Sequence, residues 1–257
     1  MFHKFLAAPK ALWYFAPNSV MKRPHIDMKS YLAYLATAAL VGSLQLVSAA
    51  DLTGKVKLKG TPPPAVKIDL SPGCGKLQPN GITTRHYVVG ADGGLANVFV
   101  YVKEGAKPTP ATAAGPMLDQ VGCEYQPYVI GITAGQNIKV KNSDPELHNV
   151  NATPKVTGNK PFNFAQVKDA AAEKTFDKPE VMVRLMCNVH PWMFAYVGVC
   201  DHPYFAVTDK DGNFTIKGLP PGKYTVEAFH LKAGAKTQEV MAGDNKPVDF
   251  TLEVPVK

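Results

Sequence analysis

The stretch Cys187-Asn188-Val189-His190-Pro191-Trp192-Met193 places a thiol, an imidazole and a thioether within seven residues. A β-strand alternates its faces with period two, so Cys-x2-His-x2-Met spacing cannot present all three side chains from one strand face. It fits a strand end that runs into a tight loop, with Pro191 helping to shape the loop. The apolar, β-branched run 181–186 before Cys187 reads as the strand entering that loop. Residues 195–199 read as the strand leaving it. The motif therefore ties the chain to a β architecture in which a connection between strands carries the chemistry.

A second histidine, His148, lies upstream in Asn142-Ser143-Asp144-Pro145-Glu146-Leu147-His148-Asn149. Two His, one Cys and a weakly bound Met form the ligand set of copper sites that transfer electrons. Thiolate and thioether are soft ligands that favour Cu(I), and imidazole serves both oxidation states. Held rigidly, such a mixed set lets little move when an electron arrives or leaves. His148 would come from a different strand end, brought in by the fold. Two other readings of the same residues stay open. Cys187 could be a structural thiol with His190 and Met193 as ordinary loop and core residues, or the site could store or deliver copper without cycling it.

The ligand loop resembles that of the cupredoxins, most closely the amicyanin and pseudoazurin group with its short Cys-x2-His-Pro-aromatic-Met pattern. Residues 125–144, with His148-Asn149 just beyond, resemble the first half of the same family. The resemblance covers roughly residues 124 to 207, about a third of the chain. It implies a Greek-key β-sandwich holding one type 1 copper ion. Cys187, His148 and His190 would bind the ion in a plane, with Met193 as the weak axial ligand. Asn149, following the first His, would hold the loop around the thiolate. Pro191, Trp192 and Phe194 would form an apolar collar that excludes water. The exposed edge of His190 would be the electron port, and the surface near Trp192 and Phe194 would dock a redox protein through a small, transient interface. One such site has no second copper cluster to work with, so the resemblance implies a carrier and not an enzyme.

The chain has 257 residues, of which 22 are Pro and 21 Gly, and so many breakers favour short strands. The formal charge of +7 is concentrated at the start. The first fifty residues hold five Lys/Arg and one Asp, which leaves 23 basic and 20 acidic residues, or +3, for the rest. No basic cluster with interleaved aromatics appears, so nucleic acid is not an expected partner. Residues 28–50 read as a secretory signal: Lys29 is a short positive region, 31–47 is mostly apolar, and Val47-Ser48-Ala49-Ala50 offers small residues for cleavage. The apolar run is slightly short for a membrane span, so cleavage near Ala49 or Ala50 is expected, with no stable membrane insertion afterwards. Residues 1–27 fit neither a domain nor a signal, and Met21 and Met28 offer later starts. Export to the periplasm or the extracellular space makes disulfides available to Cys74, Cys123, Cys187 and Cys200. With Cys187 on copper, the favoured pair is Cys74–Cys123, both in Gly-containing loop segments, and Cys200 is left as a buried free thiol. The competing pair Cys187–Cys200 would destroy the metal site, and spacing alone does not decide between them.

Both ends of the exported chain also read as β structure. Strands are expected over 52–60, 86–89 and 96–102, then over 205–208, 214–216, 224–229 and 250–254, with 104–123 as loop. Thr208-Asp209-x-Asp211-Gly212-x-Phe214 with Gly218-Leu219-Pro220-Pro221-Gly222-x-Tyr224 resembles the carboxypeptidase regulatory-like modules, small prealbumin-like sandwiches grouped with carbohydrate-binding-like folds. The Gly54-Lys55-Val56 and Ala96-Asn97-Val98-Phe99-Val100 strands resemble the opening of the same module. The resemblance implies a discontinuous sandwich, 51–103 plus 205–257, with a copper unit over 104–204 inserted. One elaborated sandwich is the simpler alternative. The module also raises a third function, a carbohydrate-binding domain in which the copper unit is structural. The Asp-x-Asp-Gly turn lacks the twelve-residue loop and terminal Glu of a calcium site, so it reads as a plain turn. His86, His202 and His230 lie in or beside strands and read as structural or surface residues. The whole is an all-β expectation: a Greek-key sandwich inserted in, or packed against, a second small one.

Overall fold

The computed structural model describes residues 49–256. The expected signal over 28–50 and the extension before it lie almost wholly outside them. Among the described residues no helix is long and apolar enough to cross a membrane.

The described chain is all-β, with sixteen strands and one short helix. In order these are β1 (Ala50–Lys59), α1 (Pro72–Leu77), β2 (Phe99–Glu104), β3 (Met117–Val121), β4 (Glu124–Gln126), β5 (Val129–Thr133), β6 (Ile138–Asn142) and β7 (His148–Ala152). There follow β8 (Phe162–Gln166), β9 (Ala171–Lys174), β10 (Glu180–Met186), β11 (Phe194–Cys200), β12 (Phe205–Val207), β13 (Asn213–Leu219), β14 (Gly222–His230), β15 (Gly234–Ala242) and β16 (Phe250–Glu253).

Four sheets result. The three-stranded sheet β13-β1-β16 and the four-stranded sheet β12-β2-β14-β15 use strands from both ends of the described chain. Their inward residues, among them Val56, Val100, Ile216, Val226 and Phe250, share one core. The sheets β5-β11-β10-β7-β8 and β4-β3-β6-β9 use the strands between. Leu118, Tyr125, Ile132, Ile138, Leu185 and Val197 fill a second core.

Strand β11 is buried along almost its whole length, as a strand must be when both faces are covered. Ala195, Val197 and Val199 point into the second core. Phe194, Tyr196 and Cys200 point the other way, into a third cluster with Phe99, Tyr101 and Tyr128. That cluster is a seam between the five-stranded sheet and β2. Gly131 and Gly198, opposite each other in the parallel β5–β11 pair, make a flat spot for it. A Cβ on Gly198 would sit 2.4 Å from the Phe99 ring, and one on Gly131 would sit 2.4 Å from Phe205. Glycine is needed at both positions for close approach, not for backbone freedom.

The long connection from β1 to β2 contains α1. Pro72 occupies its first turn and Ser71 caps it, which leaves Cys74 buried. Cys74 is disulfide-bonded to Cys123 in the turn between β3 and β4, and Cys187 and Cys200 are free and buried. Burial pushes the Cys200 thiol up to about 12. Arg85, further along the same connection, pairs with Glu124 at 3.1 Å, donates to Tyr125 O and stacks over Tyr128.

Two expectations are corrected. Residues 86–89 form no strand, only an isolated bridge from Val89 to Leu95. Part of 104–123, expected as loop, is β3, which pairs in parallel with β6 from Met117↔Lys139 onward. Its partner is distant in sequence and only Leu118 and Gln120 are buried, so local pattern carried little of it.

Candidate metal centre

The Cys187–Met193 segment is the connection between β10 and β11. These strands pair antiparallel up to Met186↔Phe194, so the loop emerges from the end of a closed ladder. Inside the loop, Cys187 N–H donates to Met193 O at 3.2 Å and Met193 N–H donates to His190 O at 2.9 Å. The strand-end-and-tight-loop reading is what the backbone forms.

His148 arrives as the first residue of β7. Its strand pairs with β10 at Met186↔Asn151. Continuing that antiparallel direction carries His148 to the same end of the sheet as Cys187. The Nδ1 atoms of His148 and His190 lie 3.0 Å apart, and Cys187 Sγ lies 3.8 Å from His190 Nδ1. One ligand atom from each of the three residues falls within 4.8 Å of the others. Met193 is fully buried in the same core as Cys187. Two imidazole nitrogens and a sulfur converging in a dry pocket fit copper by donor type.

Asn149 braces the loop. Its backbone N–H donates to Cys187 Sγ at 3.3 Å, and its side-chain Oδ1 accepts from Asn188 N–H at 2.9 Å. Its Nδ2 donates to Asn163 Oδ1 and Phe164 O, and its carbonyl accepts from the Tyr125 hydroxyl at 2.6 Å. Side chain and main chain thus tie the two ligand segments together.

Asp144 was not legible as a site residue from spacing alone, although a carboxylate four residues before His148 was the available signal. Its Oδ2 lies 2.8 Å from His148 Nε2. The same carboxylate accepts from Gly122 N–H at 2.6 Å and Cys123 N–H at 2.7 Å. It orients the ring so that Nδ1 is left for His190 and Cys187, as carboxylates behind metal-ligating histidines do.

The charges follow from these contacts. Burial opposes charge on His148, yet the Asp144 carboxylate and the Cys187 sulfur hold its pKa up at about 9. Burial also opposes ionisation of Asp144 and Cys187. His148 and nearby N–H groups outweigh it and keep both below their ordinary values. Burial, and then the cationic His148 beside it, depress His190. Near neutral pH the metal-free pocket thus holds a His148 cation beside the Asp144 carboxylate, with His190 neutral and the Cys187 thiol eased toward thiolate.

The collar is partly different from expectation. Trp192 packs on His190 at 5.2 Å between ring centroids, and its indole N–H donates to Cys123 O at 3.1 Å. Pro191 is exposed. Phe194 does not join the collar, because strand alternation turns it opposite to Ala195, into the seam, where Arg184 stacks on it. The expected exposed edge of His190 is also corrected: the residue is only 3 % exposed. Trp192 and the Cys74–Cys123 disulfide lie against it. Among the exposed residues beside the ligands are Leu147 and Val189, the chain neighbours of His148 and His190.

Among the described residues, His202 and His230 have structural partners. His202 Nε2 lies 2.8 Å from Val102 O, and buried His230 accepts from Ala233 N–H at 3.1 Å. His86 is exposed in the β1–β2 connection.

No curated protein sequence matches the chain. Solved structures similar to it are cupredoxins and a larger copper protein. A Cu(I) form of an amicyanin variant is 20% identical, with 39% of this chain and 98% of that one covered and a TM-score of 0.31. A purple cupredoxin from Nitrosopumilus maritimus is 27% identical, with 30% and 82% covered and a TM-score of 0.26. A Cu-containing nitrite reductase from Thermus scotoductus SA-01 is 22% identical, with 37% and 25% covered and a TM-score of 0.31. The chain therefore spans about a quarter of that reductase. Residues 197–253, from within β11 to the end of β16, match the carboxypeptidase regulatory-like domain family.

Proposed function

We propose that this is an exported type 1 copper protein that carries single electrons between redox protein partners. The observation that carries the reading is the convergence of His148, Cys187 and His190 on one buried point, with Met193 buried beside them. Those three residues would hold the ion and Met193 would be the weak fourth ligand. Copper there supplies a one-electron couple. The chain's own part is to fix the donors and keep them dry. Asp144 orients His148, Asn149 ties the Cys187 loop to β7, and Trp192 covers His190. A site braced from three sides resists rearrangement between oxidation states. One single-electron centre suits a carrier rather than an enzyme. The exposed Leu147 and Val189 offer an apolar contact face next to the ligands, suited to a small, transient interface.

In this reading the chain is divided as 51–103 plus 205–257 for the regulatory-like sandwich and 104–204 for the copper unit. The first positions the second through the Phe99 seam.

The test is the visible spectrum of Cu(II)-loaded protein beside a Cys187→Ser variant. A strong thiolate-to-copper band, absent from the variant and bleached reversibly by a reductant, supports the reading. Stoichiometric copper without such a band sinks it. A storage or delivery role is the second reading, and the covered His190 favours it. It requires tight Cu(I) binding with no reversible redox titration.

A further inference from the structure

Cys74 and Cys123 bring two sulfurs against a histidine already placed among the metal ligands. Ligand atoms of Cys74, Cys123 and His190 all lie within 4.8 Å of one another, and all three residues are buried. As a disulfide the sulfurs are poor ligands. Their positions, however, depend little on the bond between them. Cys123 is pinned by the Asp144 carboxylate on its N–H and by the Trp192 indole on its carbonyl. Cys74 sits in α1, where its carbonyl accepts from Gln78 N–H at 3.0 Å. The Gln78 side chain in turn donates to Gly122 O at 2.9 Å, from α1 across to the turn that carries Cys123. Arg85 ties the same connection to Glu124 and Tyr125.

We propose that reduction of Cys74–Cys123 opens a second metal site, selective for Cu(I), with the two sulfurs as main ligands and His190 as the nearest further donor. The disulfide accepts two electrons and two protons from a dithiol, which leaves as its own disulfide. Cu(I) then displaces the two thiol protons. Taking the zinc–thiolate distance of about 2.3 Å as the scale, the sulfurs need separate to no more than roughly 4.6 Å. Cα atoms 5.7 Å apart accommodate that without moving α1. Soft sulfur in a dry pocket discriminates against hard cations, which need several oxygen ligands. Such a site lies one side chain away from Cys187 and gives copper a thiolate stepping stone into the pocket. That last role rests on the copper reading of His148, Cys187 and His190; the thiol pair itself does not.

The experiment uses the Cys187→Ser protein, so that the first site cannot supply a thiolate. Disulfide-bonded and dithiol-reduced samples, desalted free of reductant, are titrated with Cu(I) against a chromophoric Cu(I) chelator. Reduction is expected to add one equivalent of Cu(I) per chain, and a further Cys74→Ser substitution is expected to abolish the gain. Cys200 is a free thiol in every sample and cancels. No gain on reduction, or a gain that persists without Cys74, overturns the proposal. So does loss of the folded state on reduction, read by thermal melting, because the fold must hold the two thiols. The spectrum of oxidised wild-type protein tests the first site separately, so either reading can fail alone.

Discussion

Asp144 Oδ2 lies 2.8 Å from Nε2 of His148, while Nδ1 of the same ring faces His190 at 3.0 Å. One imidazole is thus held at both nitrogens, by an anion on one side and by the ligand cluster on the other. Asp144→Asn keeps the shape of this contact and removes the charge. Copper affinity is expected to fall about 10–100-fold, the usual cost of losing a partner behind a ligand. A competitive copper titration reads it. An unchanged affinity would make Asp144 a fold residue that merely organises the Gly122-Cys123 turn.

The same pair sets a pH dependence in the metal-free protein. An unfolded histidine titrates near about 6.5. His148 in the fold titrates at about 9. Its folded value is raised, so its stabilising contribution is complete below the unfolded value and is lost as pH rises through the folded one. The depressed Cys187 thiol contributes with the opposite sign, so the decline is sought in thermal melts of metal-free Cys187→Ser protein, which should lose stability as pH rises above about 6.5. Asp144→Asn should flatten that decline. A Cys187→Ser profile that stays level above that pH counts against a charged His148.

Asn149→Ala removes the side-chain acceptor of Asn188 N–H while leaving the backbone donor to Cys187 in place. The expected loss is about 1–2 kcal/mol, read by chemical denaturation. Copper should also leave the variant faster, since the ligand loop is no longer tied to β7. A variant as stable and as retentive as wild type would remove Asn149 from the bracing of the site.

Trp192→Ala separates packing from docking. The ring lies against His190 and anchors to Cys123 O, so its loss opens one wall of the pocket. A shifted copper band and weaker copper retention are expected. An intact spectrum combined with slower electron transfer to a partner would instead make Trp192 a surface contact.

Gly198→Ala tests the seam. Its Cβ would stand 2.4 Å from the Phe99 ring with β2 behind it, and overpacking of this kind costs about 1–3 kcal/mol. Trimming the ring in a Gly198→Ala, Phe99→Leu double variant should recover part of the loss. Additive losses in the double variant would place the strain elsewhere.

What was legible in the sequence was local. Cys187, His190 and Met193 fall within one strand connection, and their spacing alone forces the strand-end loop that the structure contains. Loop context favoured the Cys74–Cys123 pair with Cys200 left free, as the structure has them, although spacing alone left Cys187–Cys200 open. What was hidden depends on distant partners. The cover over His190 comes from Cys74, more than a hundred residues away, on a helix too short to show a period. Strand β15 pairs with β14 along its whole length, yet its residues are mostly exposed and polar, so no apolar alternation announced it. Phe194 looked like part of the collar because it neighbours Met193, but the first residue of β11 faces the seam. Asp144 stood in plain view, and only its distance to Nε2 gave it a role.

The seam bears on how this chain can be taken apart. Along β5 and β11 the sheet that carries His148 and Cys187 is covered on both sides: one side fills its own core, and the other receives Phe99 and Tyr101 from β2. Residues 104–204 expressed alone would bare Tyr128, Val129, Met182 and Tyr196 together, a sticky surface of the kind that drives aggregation. They would also lose Cys74, and with it the sulfur that seals His190. The segment that carries His148, Cys187 and His190 is therefore not a portable cassette, and a fragment that keeps the cluster covered has to include both ends of the described chain.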